Sequence, residues 1–497
     1  MIFRFLLASL NIDGILQEST VYRRRQRLSK ITDGLGLGDV YDATIDRIKA
    51  QGGDKSRLGM GALMWISHAE RPLEEDELCH ALAIELGSRD FDADNIPSIR
   101  TLIGCCQGLI TVDKEASTVR LVHFTLKEYL SAHPDIFSSP HSAIAEICLT
   151  YLNSQQVRAL PDDSWSDPDD LEPFLRYCSL YWGVHAKREL SDYGRSLALE
   201  LLQEYDGHIS AIYLIWHIGH PDVNLDSPIP LFGGLHCASF FGIVEVATAL
   251  IEMQGYSANE RYYLGDSPLA WAARNGHEEV VKMLLGREEV DPDETNDHGE
   301  TPLFHAVRKG NEEVLKLLLR REEVNPDHPD IDGRTPLSYA ASEGLDRAVK
   351  ILLGREDVNP DRPDHDGGTP LLYAAMGIRG EAVRMLLGRG EVNPDSPDNR
   401  GQTPLSYAAQ GGCVEVVKML LGREEVNPDC SDNDGRTPLS YAAECGSRWG
   451  FEKYVRVVKM LLERAEVNFG KPDNRGQTPL WYAIDEGNEE VVKILLG

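Results

Sequence analysis

The second half of the chain alternates short apolar runs with polar stretches rich in proline and glycine, and the alternation has a fixed period. A Thr-Pro-Leu tripeptide, or a close relative, begins at Gly233, Ser267, Thr301, Thr335, Thr369, Thr403, Thr437 and Thr478, so the spacing is 34 residues six times running and then 41. Self-similarity at one period marks an architecture of stacked repeats. In the unit GRTPLSYAASEGLDRAVKILLGREDVNPDRPDHD, Thr335 is placed to cap a helix and Pro336 to occupy its first position, where a missing N–H does no harm. Leu337, Ala340 and Ala341 share one face of that helix, and Gly344 ends it. A second helix is predicted to bury Val349, Ile351, Leu352 and Leu353, after which Pro360, Pro363 and Gly367 enforce an extended, turning finger. One unit cannot bury its own apolar faces. Stacking does so, which is why several are needed.

This pattern resembles the ankyrin repeat over residues 233–497. The resemblance implies an α-solenoid of eight units, each a pair of antiparallel helices with a projecting β-hairpin finger. It also implies that fingers and first helices line a concave groove for a protein ligand. Several features depart from the family. The usual period is one residue shorter, and the histidine after Thr-Pro-Leu survives only at His236, with Ser338, Ser406 and Ser440 elsewhere. The glycine expected before the finger, near Glu289 or Glu323, is present once, as Gly390. Ile378 stands where a turn glycine belongs, between Gly377 and Gly380, which predicts a rearranged turn. Leu495, Leu496 and Gly497 close the last helix without a polar cap, so either a partner covers this end or the gene product is truncated.

Comparing the repeats with one another separates a constant frame from variable positions. After the Asn-Pro-Asp of each finger come Glu294, His328, Arg362, Ser396, Cys430 and, in the irregular last finger, Lys471. Chemical diversity at one structural position is what a recognition surface needs, although exposed fingertips also drift when nothing constrains them. A second variable set ends the first helices: Arg274 and Asn275, Arg308 and Lys309, Ser342 and Glu343, Gln410, Glu444, Asp485 and Glu486. The seven extra residues of the 41-residue unit fall near SRWGFEKYV, where Trp449, Phe451 and Tyr454 either anchor a partner or lengthen the second helix and pack on their own repeat. The finger segment DNDG, Asp432 to Gly435, lacks the alternating carboxylates and terminal glutamate of a calcium loop and reads as a turn.

Residues 33–140 read as a compact α+β domain. DVYDATIDRIKAQ, SRLGMGALMWISHAE and PLEEDELCHALAIEL are amphipathic helices, Asn95 to Gly108 is a fourth, and LITVDKEASTVRLVHF gives two short strands before the helix FTLKEYLSAH. That order predicts a winged-helix arrangement, without the basic face that phosphate contact requires. RPLEEDELCHAL and GLITVDKEASTVRLVHFTLKEYL resemble the winged-helix region behind the NACHT nucleotide-binding module of fungal NOD-like (STAND-type) proteins. FRFLLASLNIDGIL and GLGLGDVYDATIDRI resemble the junction after that module, and FLRYCSLYWGVHAKREL resembles its helical connector. The resemblance makes 1–32 a helical remnant of the module, 33–140 the winged helix, and 141–232 the connector, with an acidic loop near 160–173. The nucleotide core itself is missing: GGDKS, Gly52 to Ser56, lacks both a glycine before Lys55 and a preceding apolar strand, and GLGLG, Gly34 to Gly38, has no lysine. His123 falls where the resemblance puts a nucleotide-phosphate contact, but in a chain without a P-loop a structural role at the strand end is expected.

Composition narrows the function classes. A formal charge of -30 repels nucleic acid and anionic membrane, and no apolar run is long enough to span a bilayer. Nine irregularly spaced cysteines form no disulfide framework and point to the cytoplasm, and MIFRFLLASL is too short and too interrupted by Arg4 for a secretory signal. No nucleophile motif or zinc-spaced cluster occurs, so a non-enzymatic recognition protein without cofactor or metal is expected. Whether His68, His80 and His123 converge in space is open at this level. The readings that stand are the sensor end of a NOD-like switch whose nucleotide-binding module acts in trans, a plain ankyrin scaffold, and a fragment of an NTPase whose P-loop lies upstream of Met1.

Overall fold

Helix caps, prolines and apolar spacing are realised along most of the chain in a computed structural model that describes residues 19–26, 37–88, 90–160, 173–217, 232–253, 256–262, 265–445 and 451–497. Two compact units emerge, Met1–Tyr256 and Ser257–Gly497. Most of the proposed remnant at 1–32 and nearly all of the acidic loop near 160–173 lie outside the described residues.

Unit 1 begins with helices α1 (Leu37–Ala50) and α2 (Gly53–His68), strand β1 (Leu73–Glu74), and helices α3 (Glu75–Ala83) and α4 (Ile99–Cys105). Strands β2 (Ile110–Asp113) and β3 (Thr118–Leu121) and helix α5 (Phe124–Ala132) follow. The sheet has the order β1-β3-β2, antiparallel throughout, with Leu73 opposite Val119 and Val119 opposite Val112. This is the winged-helix arrangement, with two corrections to the sequence expectation. Leu73 and Glu74 leave the predicted helix to form the third strand, because Leu73 buries fully against the sheet while Glu74 caps α3 through a reciprocal box with Glu77. The predicted helix 95–108 is also shorter. Pro97 holds Ile96 extended (φ -70°, ψ 113°), and Ser98 restarts the helix as its N-cap.

The connector helices α6 (Pro140–Leu152), α7 (Gln155–Arg158), α8 (Pro173–Arg188), α9 (Asp192–Leu202) and α10 (Ile209–His217) continue the same core. Trp65 of α2 is fully buried, with its ring edge-on to Phe174 and Tyr177 of α8 at 5.6 Å each. The first repeat pair, α11 (Gly234–Phe241) and α12 (Val244–Glu252), also belongs to unit 1. Two glycines permit this docking. A Cβ at Gly183 would meet the Phe241 ring at 2.2 Å, and one at Gly234 would meet the Leu202 carbonyl oxygen at 2.1 Å. Gly-Gly therefore stands at 233–234 where later repeats carry Thr-Pro.

Unit 2 holds seven further helix pairs, from Pro268–Arg274 with Glu278–Leu285 to Pro479–Asp485 with Glu489–Leu496. Thr335 caps as expected, its hydroxyl accepting the Ser338 N–H at 3.1 Å, and Gly344 ends the helix at φ 70°. Losing such a cap costs about 1 kcal/mol. Of the expected second-helix stripe, Val349 and Leu352 are buried, together with Ala348; Ile351 and Leu353 are only half-buried, because they flank that face. Ile378 does not rearrange its turn. It adopts φ 59°, the left-handed conformation that glycine takes at 276, 310, 344, 412 and 487 in other repeats. The side chain that replaces glycine bears the strain, because the neighbouring repeats dictate the turn. Frame arginines join successive units: Arg355 Nη1 donates to the carbonyls of Leu319 (2.6 Å) and Arg321 (3.1 Å), and Arg389 Nη1 to Leu353 (3.1 Å). These bonds satisfy the open carbonyls at the end of the preceding helix.

Candidate partner-binding surface

The fingers are tight turns held by aspartate. Asp398 Oδ1 accepts the N–H groups of Arg400 (2.9 Å) and Gln402 (2.8 Å), while Tyr407 from the same repeat donates its hydroxyl to Oδ2 at 2.8 Å. Asp364 with Tyr373, Asp432 with Tyr441, and Asp473 with Tyr482 repeat the device. Burial and the neighbouring carboxylate push the Tyr373 and Tyr482 hydroxyls up to about 12, so they remain donors at neutral pH. The carboxylate of Asp432 in DNDG is thus engaged by amides and a phenol. Successive fingers are tied by single backbone bonds, Ile331 N to His298 O and Asn399 N to Asp366 O, and the described finger residues form no strand of their own.

The variable residue after each Asn-Pro-Asp does not stand at the tip. Glu294, His328, Arg362, Ser396, Cys430 and Lys471 are all half-buried. Arg362 Nη1 donates to the Asp327 carbonyl at 3.0 Å, Lys471 Nζ to that of Asp429 at 2.8 Å, and Glu294 pairs with Arg261 at 3.7 Å. His328 Nδ1 lies 3.1 Å from the Pro329 carbonyl oxygen. These positions face the seam with the preceding repeat, where the Asn-Pro-Asp carboxylate also accepts the next finger's amide: Asp293 from Asn325 at 2.7 Å, Asp327 from Asn359 at 2.6 Å. The exposed tips are pairs that sequence comparison passed over: Asp297 and His298, Ile331 and Asp332, His365 and Asp366, Asn399 and Arg400, Asn433 and Asp434, Asn474 and Arg475. Each pair precedes a glycine with positive φ (Gly299, Gly333, Gly367, Gly401, Gly435, Gly476), and that turn signature was the available clue.

The first-helix ends are more open. Asn275, Arg308, Lys309, Glu343, Gln410, Asp485 and Glu486 are exposed, while Arg274, Ser342 and Glu444 are half-buried. Three of them, Arg274, Arg308 and Glu444, reach back to the finger bases at Asp266, Glu300 and Arg436. Arg308 pairs with Glu300 at 3.0 Å, Glu444 with Arg436, and Arg274 stacks on Trp271 at 4.9 Å. Fingers and first-helix ends therefore border one face of each repeat. Along the array the charge of this set changes sign, from Arg274, Arg308 and Lys309 to Glu343, Glu444, Asp485 and Glu486.

In the long repeat, Trp449 lies outside the described residues. Phe451 opens a second helix lengthened to 12 residues (Phe451–Leu462) and is 50% exposed. Tyr454 is half-buried beneath the Lys453 ammonium at 4.8 Å. In unit 1, His123 caps α5, its Nδ1 accepting the Thr125 N–H at 3.3 Å and meeting the Thr125 hydroxyl at 2.8 Å. GGDKS opens α2 directly after helix α1, whereas a P-loop follows a strand. His80 stacks on Phe91, so His68, His80 and His123 do not converge; His68 instead stands beside His141. None of the nine cysteines is disulfide-bonded, and among the described residues no helix is long and apolar enough to cross a membrane.

Comparison with known families agrees with this geometry. The description Ankyrin repeats (3 copies) matches residues 204–296, 235–330, 269–364, 337–432, 379–468 and 424–497, together more than half of the chain. The chain belongs to the ankyrin-repeat family. Its winged helix is similar to the GPI inositol-deacylase, winged helix domain, matched over residues 47–140. No curated protein matches the chain. Ankyrin repeats are protein-interaction modules and imply a protein partner for the array, while the constant residues of its frame cap, close and join its repeats.

Proposed function

We propose that this ankyrin protein is a cytoplasmic, non-enzymatic sensor, whose array binds one protein partner across the face bordered by fingertips and first-helix ends. The change of charge sign along the first-helix ends carries the reading. A partner would place acidic groups against Arg308 and Lys309 and basic groups against Glu343, Asp485 and Glu486, so that charge sets its direction along the stack. The resemblance of the winged-helix and connector sequences to NOD-like proteins supports a switch context, in which binding would alter a contact with a nucleotide-binding module carried by another chain or encoded upstream.

The test begins with a partner captured on the full chain, then purified and measured by calorimetry. Arg308→Glu with Lys309→Glu should weaken it at least tenfold, about 1.4 kcal/mol, and charge reversal on the partner should restore binding. Ser396→Ala at the seam should change little. Loss through the seam variant with none at the first-helix ends would overturn the assigned face. ATP and ADP should not bind this chain. Binding at micromolar concentration would favour the NTPase reading, whereas a partner indifferent to any nucleotide module leaves the plain scaffold.

A further inference from the structure

Between the winged-helix region and the connector, unit 1 gathers polar groups that protein recognition does not use. Glu70 follows α2, His141 lies in the first turn of α6, and His185 lies in the last turn of α8. A carboxylate oxygen and one nitrogen from each imidazole all lie within 4.8 Å of one another. The His141 and His185 Nδ1 atoms are 2.8 Å apart, and the His68 ring stands edge-on to His141 at 5.5 Å.

We propose that Glu70, His141 and His185 form a binding site for a divalent transition-metal ion of the zinc class. Two imidazoles and a carboxylate satisfy three positions of a tetrahedral ion and leave the fourth for water. Orientation is supplied from outside the cluster. The Tyr177 hydroxyl sits 2.9 Å from His185 Nε2, which turns Nδ1 toward His141 and Glu70. The same hydroxyl accepts the Glu70 backbone N–H at 3.1 Å, so one buried phenol positions two of the three ligands.

Two contacts must give way as a cation enters. Ligand nitrogens on a tetrahedral zinc stand about 3.3 Å apart, so the Nδ1 pair must open by about 0.5 Å. His141 is only half-buried and sits in the first turn of its helix, where a rotamer adjustment suffices. Arg188 pairs with both oxygens of Glu70, and its charge repels a metal. Its side chain is 46% exposed, however, so it can release Glu70 to the ion and swing into water. A carboxylate also keeps lone pairs beyond those a guanidinium takes. The site would then clamp the α2 segment to α6 and α8. Without metal, the same atoms are a hydrogen-bonded imidazole pair beside an ion pair.

The experiment uses the full chain, stripped with chelator, titrated with Zn2+ by calorimetry and with Co2+ by visible absorption. About one equivalent should bind with Kd at or below about 1 μM, and Co2+ should show tetrahedral d–d bands without a thiolate charge-transfer band. His141→Gln and Glu70→Gln should each weaken binding about 10–100-fold, with the helical circular dichroism unchanged. His80→Gln, in the same unit but stacked on Phe91, should bind as the parent does. These variants avoid the wholly buried His185, whose replacement threatens the fold. Absence of stoichiometric binding at about 10 μM metal, a thiolate band, or undiminished affinity in both His141→Gln and Glu70→Gln would overturn the site and leave the imidazole pair.

Discussion

Unit 1 and unit 2 solve the same packing problem with opposite economies. Unit 1 uses each large side chain once: Trp65 against Phe174 and Tyr177, Phe241 against the bare backbone of Gly183. Unit 2 reuses one small set of positions from repeat to repeat: a Thr or Ser cap, a Pro at the first helical position, an alanine that is paired in five of its seven repeats, and a leucine stripe. A unique contact has no substitute within its unit. A repeated contact is one term in a nearest-neighbour sum, so its loss stays local. The array thereby leaves its fingertips and helix ends free to differ, while unit 1 spends its chemical variety indoors.

The largest effect expected from this contrast is in unit 1. Trp65→Ala should cost about 3–5 kcal/mol, and amide exchange should accelerate throughout α2, α6 and α8. Leu405→Ala, also at a fully buried position, should cost about 2–4 kcal/mol but accelerate exchange only in its own repeat and the two beside it. Equal spread of the two effects would erase the distinction. A smaller effect is set by pH. Burial lowers His208 in unit 1 to about 4, with its Nε2 bonded to the Leu152 carbonyl at 3.0 Å. The unfolded chain takes up this proton near pH 6.5 and the folded chain only near 4, so its contribution is constant above 6.5 and is lost progressively below it. By pH 5.5 the loss is about 1 kcal/mol, read as the difference in urea midpoint between the parent and His208→Gln at the two pH values. If that difference is the same at pH 7.5 and 5.5, the histidine is not held neutral. The smallest effect is a gain in the array. Ile378→Gly should stabilise by about 0.5–1 kcal/mol, since relief of the left-handed strain outweighs the lost contact with Gly411 and the entropy of glycine. A lower melting temperature would show that the Ile378 contact outweighs the strain.

Much of this was legible in the residues. The eight helix pairs, and in most of them a Thr-Pro start and a glycine stop, follow from signals that act within four or five residues and recur at a nearly constant period. The wing strands Ile110–Asp113 and Thr118–Leu121 were equally visible, being an apolar alternation on either side of a turn. Contacts between distant residues were not legible, because no local preference encodes them. The two-residue strand Leu73–Glu74 exists only because β3 offers it an edge. Arg362 and Lys471 read as free fingertips until the seam with a residue 35 or 42 positions earlier half-buries them. The histidines that meet are 68, 141 and 185, brought together by the packing of α2, α6 and α8 and unconnected by any spacing rule. Local stereochemistry thus determined the repeat and its period. Tertiary packing decided which variable residues face solvent and which polar groups share a site, because burial depends on neighbours that only the folded chain supplies.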